Sequence, residues 1–127
     1  RLVGSEMCIR DRIEGDGSLL MHIQELETAR RQGIKFLMAI INDGGYGAEI
    51  HKFRAGNIDP GIVIHGRGDL AGVATGFGVR GQTVSGLGQM GAMFETHQSG
   101  NSASLWDVHT DDTVVSRPYR RIHYGEA

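Results

Sequence analysis

Phe36-Leu37-Met38-Ala39-Ile40-Ile41-Asn42-Asp43-Gly44-Gly45, residues 36–45, passes from six consecutive apolar side chains straight into a polar, glycine-rich turn. An apolar run of strand length without alternation suits a parallel strand covered on both faces, so the stretch predicts a central strand with a turn at its carboxyl end. Upstream, the stub of an apolar strand leads into Gly15. Ser18 is placed to cap a helix over 19–32, in which Leu19, Leu20, Ile23, Leu26 and Ala29 recur at helical spacing until Gly33 stops it. Downstream, Tyr46 to Phe53 predicts a short helix ending near Ala55-Gly56, and Asp59-Pro60-Gly61 a turn. Asp69 caps a helix with Leu70, Val73, Ala74 and Phe77 on one face, closed by Gly78. Thr83-Val84 reads as a brief strand, Leu87 to His97 as a helix with Met90, Met93 and Phe94 inward, and Ala103 to Val108 as a strand. Residues 117–127 read as a polar surface tail. Strand and helix alternating through short glycine turns predict an α/β domain, a parallel sheet with helices on both faces.

At 127 residues, 39% hydrophobic and 22% charged, the chain has material for one core and not for two. A formal net charge of −2 gives no basic field for nucleic acid or an anionic membrane surface. No apolar run approaches the roughly 20 residues that cross a bilayer, and nothing resembles a secretory signal, so cytoplasmic residence without a membrane partner is expected. Cys8 is the single cysteine, which excludes an internal disulfide. Residues 1–12 show no periodicity and resemble the conceptual translation of a transposase adapter used in building sequencing libraries. The native frame is therefore expected to enter near Ile13, with a truncated domain over 13–127.

Gly15-Asp16-Gly17-Ser18 lies between the strand stub and a helix start, where open α/β sheets bind ligands. Unpaired N–H groups of Gly17, Ser18 and Leu19 suit a phosphate there, but Asp16 would repel it. A divalent cation resolves the conflict, because Mg²⁺ takes one or two carboxylates together with phosphate oxygens and water. Asp43 and the Gly45 carbonyl, following the buried strand, are expected at the same sheet edge. The plainer reading is that Asp16 and Asp43 cap helices and satisfy turn amides.

Gly15-Asp16-Gly17, then Gln24-Glu25-Leu26, the apolar strand and Asn42-Asp43-Gly44-Gly45-Tyr46-Gly47 resemble the diphosphate-binding domain of thiamine-diphosphate enzymes. The resemblance is to the acetolactate synthase, pyruvate decarboxylase and benzoylformate decarboxylase group, and it extends over most of the chain from Ile13. It implies a partial thiamine-diphosphate-binding fold and two cofactors, thiamine diphosphate and Mg²⁺. The implied metal ligands are Asp16, Asp43 and the Gly45 backbone, with Gly15, Gly17, Ser18, Tyr46 and Gly47 also around the cofactor. The family usually carries two asparagines here, the second of which ligates the metal; counted from Asp16, that position is Asp43, so this chain departs from asparagine to aspartate. Glu49 stands where pyruvate-decarboxylase-like members place a glutamate near the reactive carbon, as a general acid if it faces the pocket. Glu49, His51 and Lys52 equally fit the solvated side of a short helix.

For the intact protein the resemblance implies a 2-oxo acid substrate and decarboxylase or carboligase activity, a lyase or transferase. It also implies a homodimer or homotetramer in which a pyrimidine-binding domain of a neighbouring subunit completes the site, so that this piece alone is inactive. A non-catalytic regulatory or scaffold homologue and a different Mg²⁺-phosphate enzyme are the rival readings. Gly76-Phe77-Gly78-Val79-Arg80-Gly81 matches GxGxxG but follows a helix and precedes a strand, the reverse of the dinucleotide-binding context. Arg67-Gly68-Asp69 reads as a turn into a helix cap. The six histidines show no paired spacing for a transition metal and read as single surface or capping residues.

Overall fold

The computed structural model describes residues 11–126; the adapter reading of residues 1–12 falls almost wholly outside the described residues. Strand β1 (Arg12–Gly15) pairs in parallel with β2 (Leu37–Asn42), β2 with β4 (Ser104–His109), and β4 with β3 (Arg80–Val84). The order β1-β2-β4-β3 puts the apolar run of residues 36–41 inside the sheet. Helices α1 (Asp16–Leu20) and α2 (Glu25–Arg31) join β1 to β2, and α3 (Gly47–Ala55) and α4 (Leu70–Gly76) lead from β2 to β3. Helix α5 (Met90–Ser99) joins β3 to β4, and α6 (Arg117–His123) follows.

Both faces of the sheet are covered. On one, Leu19, Leu26, Leu70 and Ala74 from the helices pack on Phe36, Ile40, Val79 and Leu105. On the other, Met93 of α5 packs with Leu37, Val84 and Trp106. The expected α/β architecture, a parallel sheet between helical layers, is therefore the observed one. No helix among the described residues is long and apolar enough to cross a membrane.

Several local expectations need correction. The single helix over 19–32 is two helices whose junction runs on i→i+3 bonds, from Met21 N–H to Ser18 O through Glu27 N–H to Gln24 O. Here His22 Nε2 reaches back to Glu14 Oε2 at 3.1 Å. Ser18 is not the cap, because the helix starts earlier at Asp16 with Gly15 at the cap position; the Ser18 hydroxyl donates instead to Glu14 Oε2 at 2.9 Å. Nor is the β1 stub apolar in its burial: Ile13 is 76% exposed, while the Glu14 side chain is only 5% exposed. Phe94 lies outward, 42% exposed, while Met93 and Met90 are the side chains of its helix that pack into the apolar core. Residues 117–123 form a helix rather than a tail, held where Tyr124 Oη donates to His51 O at 3.2 Å. Asp69 does cap α4, accepting the Gly72 N–H at 2.7 Å.

Candidate functional site

The register sets Gly15 of β1 beside Ile41 of β2, so the two loops that follow leave the same carboxyl edge of the sheet. One carboxylate ties them together. Asp16, 2% exposed, accepts the Gly17 N–H on Oδ1 and the Gly44 N–H of the other loop on Oδ2, both at 2.9 Å. Asn42 is wholly buried and turned into the protein: its Nδ2 donates to Asp107 Oδ1 at 2.7 Å and to Arg67 O at 3.1 Å. Its Oδ1 accepts the Gly44 N–H at 3.2 Å. Asn42 is thus spent on holding the turn, and Asp43, the next residue, lies on the open side.

The 61–66 segment braces this turn from behind. Tyr46 N–H donates to Val63 O, and Gly44 O accepts from His65 and Gly66, which makes an antiparallel bridge between Gly45 and Ile64. In such a bridge the flanking groups make the bonds, and the peptide groups of Gly45 itself point away from the 61–66 segment. Only glycine fits at 45, where a Cβ would stand 2.6 Å from Val63 O and 2.7 Å from Ile50 Cδ1.

Between the loops is a hollow of about 320 Å³, lined by Gly15, Asp16, Gly17, Ser18, Ile41, Asp43, Gly45, Tyr46, Gly47, Ala48 and Glu49. Its size is at the small end of ligand clefts. All nine residues singled out in the sequence line this one hollow. Tyr46 lies against Gly17, where a Cβ would stand 2.8 Å from its ring, so the aromatic side chain also ties one loop to the other. Glu49 is on the outer wall, and its carboxylate pairs with Lys52 Nζ at 2.8 Å on the exposed side of α3.

A cation would offset the charges that meet in the hollow. Burial pushes the Asp43 carboxyl above its ordinary range and the charge of Asp16 adds to this, while the amides of Gly45 and Asp43 itself pull the other way. Among the described residues no three His, Cys, Asp or Glu side chains converge as a metal-holding group. Two carboxylates with room for carbonyl, phosphate and water fit Mg²⁺ better than a caged transition metal.

Gly47 sets the aim of Asp43, because a Cβ at 47 would fall on Asp43 Oδ2. The carboxylate is free to rotate away, so Gly47→Ala is expected to leave the thermal midpoint nearly unchanged. Any Mg²⁺-dependent binding of inorganic diphosphate in the hollow should weaken roughly tenfold, the cost of misorienting one carboxylate. Calorimetry alongside a melt separates the two effects.

Three polar residues around the hollow escaped the sequence reading. His65 Nε2 lies 3.8 Å from Asp16 Oδ2 with its ring edge-on to Tyr46. Only the docking of the 61–66 segment brings it there, and no spacing signals that. Asp107, 1% exposed, anchors Asn42 from β4 and meets His109 at 3.3 Å. Glu14 did carry a signal, as a carboxylate in a strand stub next to an apolar residue.

The family described as "Thiamine pyrophosphate enzyme, C-terminal TPP binding domain" matches residues 12–108. A protein of Mycobacterium tuberculosis assigned as an acetolactate synthase large subunit is 31% identical over 103 residues, 80% of this chain and 18% of that protein. Among solved structures, the thiamine diphosphate-dependent 4-hydroxybenzoylformate decarboxylase of Rhodococcus jostii RHA1 superposes with a TM-score of 0.68 at 26% identity. That match covers 80% of this chain and 19% of the other. The chain thus spans about a fifth of the length of these relatives.

Proposed function

Because this chain belongs to the thiamine pyrophosphate enzymes, as their C-terminal TPP binding domain, we propose that its hollow takes the diphosphate end of thiamine diphosphate through Mg²⁺. The observation that carries this is the convergence of Asp16, Asp43 and the glycines of both loops on one small hollow at the carboxyl edge of the sheet. Asp16 and Asp43 would hold the metal together with the Gly45 carbonyl, and the metal would join them to the phosphates they otherwise repel. Glycines at 15, 17, 45 and 47 let the ligand approach the backbone.

For the whole protein we propose a 2-oxo-acid decarboxylase or carboligase, which the names of both relatives support. Thiamine diphosphate, when bound, supplies the electron sink for loss of carbon dioxide from the 2-oxo acid. This chain's part is to anchor and orient the cofactor by its diphosphate. A pyrimidine-binding domain from a neighbouring subunit, in a cytoplasmic homodimer or homotetramer, would serve the other end. Glu49 faces the site only from its rim and is engaged by Lys52, an arrangement that favours a solvated helix face over general acid catalysis.

Titration calorimetry of the chain with thiamine diphosphate tests the reading. Saturable binding is expected with Mg²⁺ and not with a chelator present, and ATP should bind at least tenfold more weakly. Equal binding of ATP would favour a different Mg²⁺-phosphate protein, and no saturable binding of thiamine diphosphate would refute the proposal.

A further inference from the structure

Ser18 lines the hollow, but its hydroxyl proton is turned away from it. The proton goes to Glu14 Oε2, 2.9 Å away, and the same oxygen receives Arg12 Nη2 at 2.9 Å and His22 Nε2 at 3.1 Å. Glu14 Oε1, by contrast, is buried with no hydrogen-bond partner among the described residues. A buried carboxylate with one oxygen already unserved holds its remaining donors strongly, because each further loss adds a desolvation penalty. Arg12 and His22 are both more exposed than Glu14, which leaves Ser18 as the short, local donor from the next turn.

A serine has one proton to give and two lone pairs to offer. We propose that Glu14 is a positioning residue, which takes the proton of Ser18 so that Ser18 Oγ faces the hollow as an acceptor. A phosphate oxygen cannot use an acceptor; a water of a hydrated cation can. Glu14 therefore selects what Ser18 receives, a water on the metal rather than the phosphate itself. This inference rests on the cofactor reading given above, and it assigns the diphosphate to backbone N–H groups and the metal alone.

Glu14→Met removes the acceptor and frees the proton for phosphate, whereas Glu14→Gln removes the charge but keeps an oxygen that accepts it. Both substitutions relieve repulsion of an anion, so only their difference reports the proton. With inorganic diphosphate and Mg²⁺ as the probe, Glu14→Met is expected to bind about tenfold more tightly than Glu14→Gln, and adding Ser18→Ala to each should abolish that excess. A purely structural role for Glu14 would give losses and no gain. An excess that persists without the Ser18 hydroxyl, or no excess, overturns the proposal. A second measurement needs no ligand: Glu14→Met and Ser18→Ala, alone and together, should be non-additive in the folding equilibrium constant by threefold or more, and additivity overturns the proposal. If the unaltered chain takes no diphosphate, the cofactor reading fails while the folding cycle still decides the Glu14–Ser18 bond. If Glu14→Met does not fold, Glu14→Val, which suits a strand and offers no acceptor, replaces it in both measurements.

Discussion

Gly81→Ala is expected to remove much of the folding stability of this chain, whereas Gly76→Ala in the same glycine-rich run should leave it unchanged or slightly higher. At 81, a Cβ would overlap the carbonyl oxygen of Ala71 and stand 2.7 Å from its carbon and 2.9 Å from its α-carbon. These are backbone atoms of α4, so no side chain can rotate out of the way. The helix cannot swing off by itself either, because Val79 N–H bonds Ala74 O across the turn that leads into β3. Moving it would also pull Leu70 and Ala74 from the core formed with Leu105 and Val79. Overpacking of this kind costs about 1–3 kcal/mol, and here more, since the obstruction is main chain; restricting the unfolded chain returns at most about 1 kcal/mol. Gly76 ends α4 with nothing within 4 Å of a Cβ and without a positive φ, so alanine there only gains helix propensity. Thermal melts of the two variants should move in opposite directions, or one fall steeply while the other stays. A Gly81→Ala chain as stable as the parent would contradict this close packing. The result also bears on the GxGxxG match: its last glycine is kept for helix-on-strand contact, and Gly78, with φ of +81°, for the turn between them.

The contrast shows what a sequence exposes and what it hides. Elements specified by their own residues were legible: the unalternating run that became β2, the Asp69 cap and the order of strand and helix all rest on local periodicity or local hydrogen bonds. Pair motifs were legible as well, since Gly15 to Ser18 and Asp43 to Gly47 sit in loops that the parallel register carries to one edge. What stayed hidden depends on partners far along the chain. His65 meets Asp16 only through a bridge at Gly45, and Asn42 turns inward only because Asp107 of β4 waits there. The broken helix after Gly15 is a similar case, where helical spacing continues through His22 but the side chain bonds back to Glu14. In each, a tertiary hydrogen bond overrode a local preference worth a few tenths of a kcal/mol.

The two aspartates of the hollow should respond to the same substitution in opposite ways. Asp16→Asn is expected to weaken Mg²⁺-dependent thiamine diphosphate binding by at least a hundredfold and to lower the thermal midpoint. Its two oxygens serve two backbone N–H groups, one in each loop, and an amide offers only one oxygen, so a buried N–H would confront the new NH₂. An unsatisfied buried donor costs about 1–3 kcal/mol, and the negative charge next to the metal is lost besides. Asp43→Asn changes far less of the geometry. Asparagine is the family's usual residue there, its oxygen still offers a ligand, and the amides of Gly45 and Asp43 still find an acceptor. Without metal, burial and the charge of Asp16 disfavour the ionised Asp43, so its contribution to stability is full below the ordinary value of 3.8 and is lost as pH rises through the raised one. At neutral pH the asparagine variant escapes that penalty and should melt higher than the parent in chelator, while its Mg²⁺ affinity stays within about tenfold, the span of one altered ligand. The gain should shrink as the parent is acidified or as Mg²⁺ is supplied, because either neutralises the repulsion between the two carboxylates. If Asp43→Asn instead destabilised the metal-free chain as much as Asp16→Asn does, the two residues would be structural equals, and the pairing of one fixed carboxylate with one that needs the cation would be wrong.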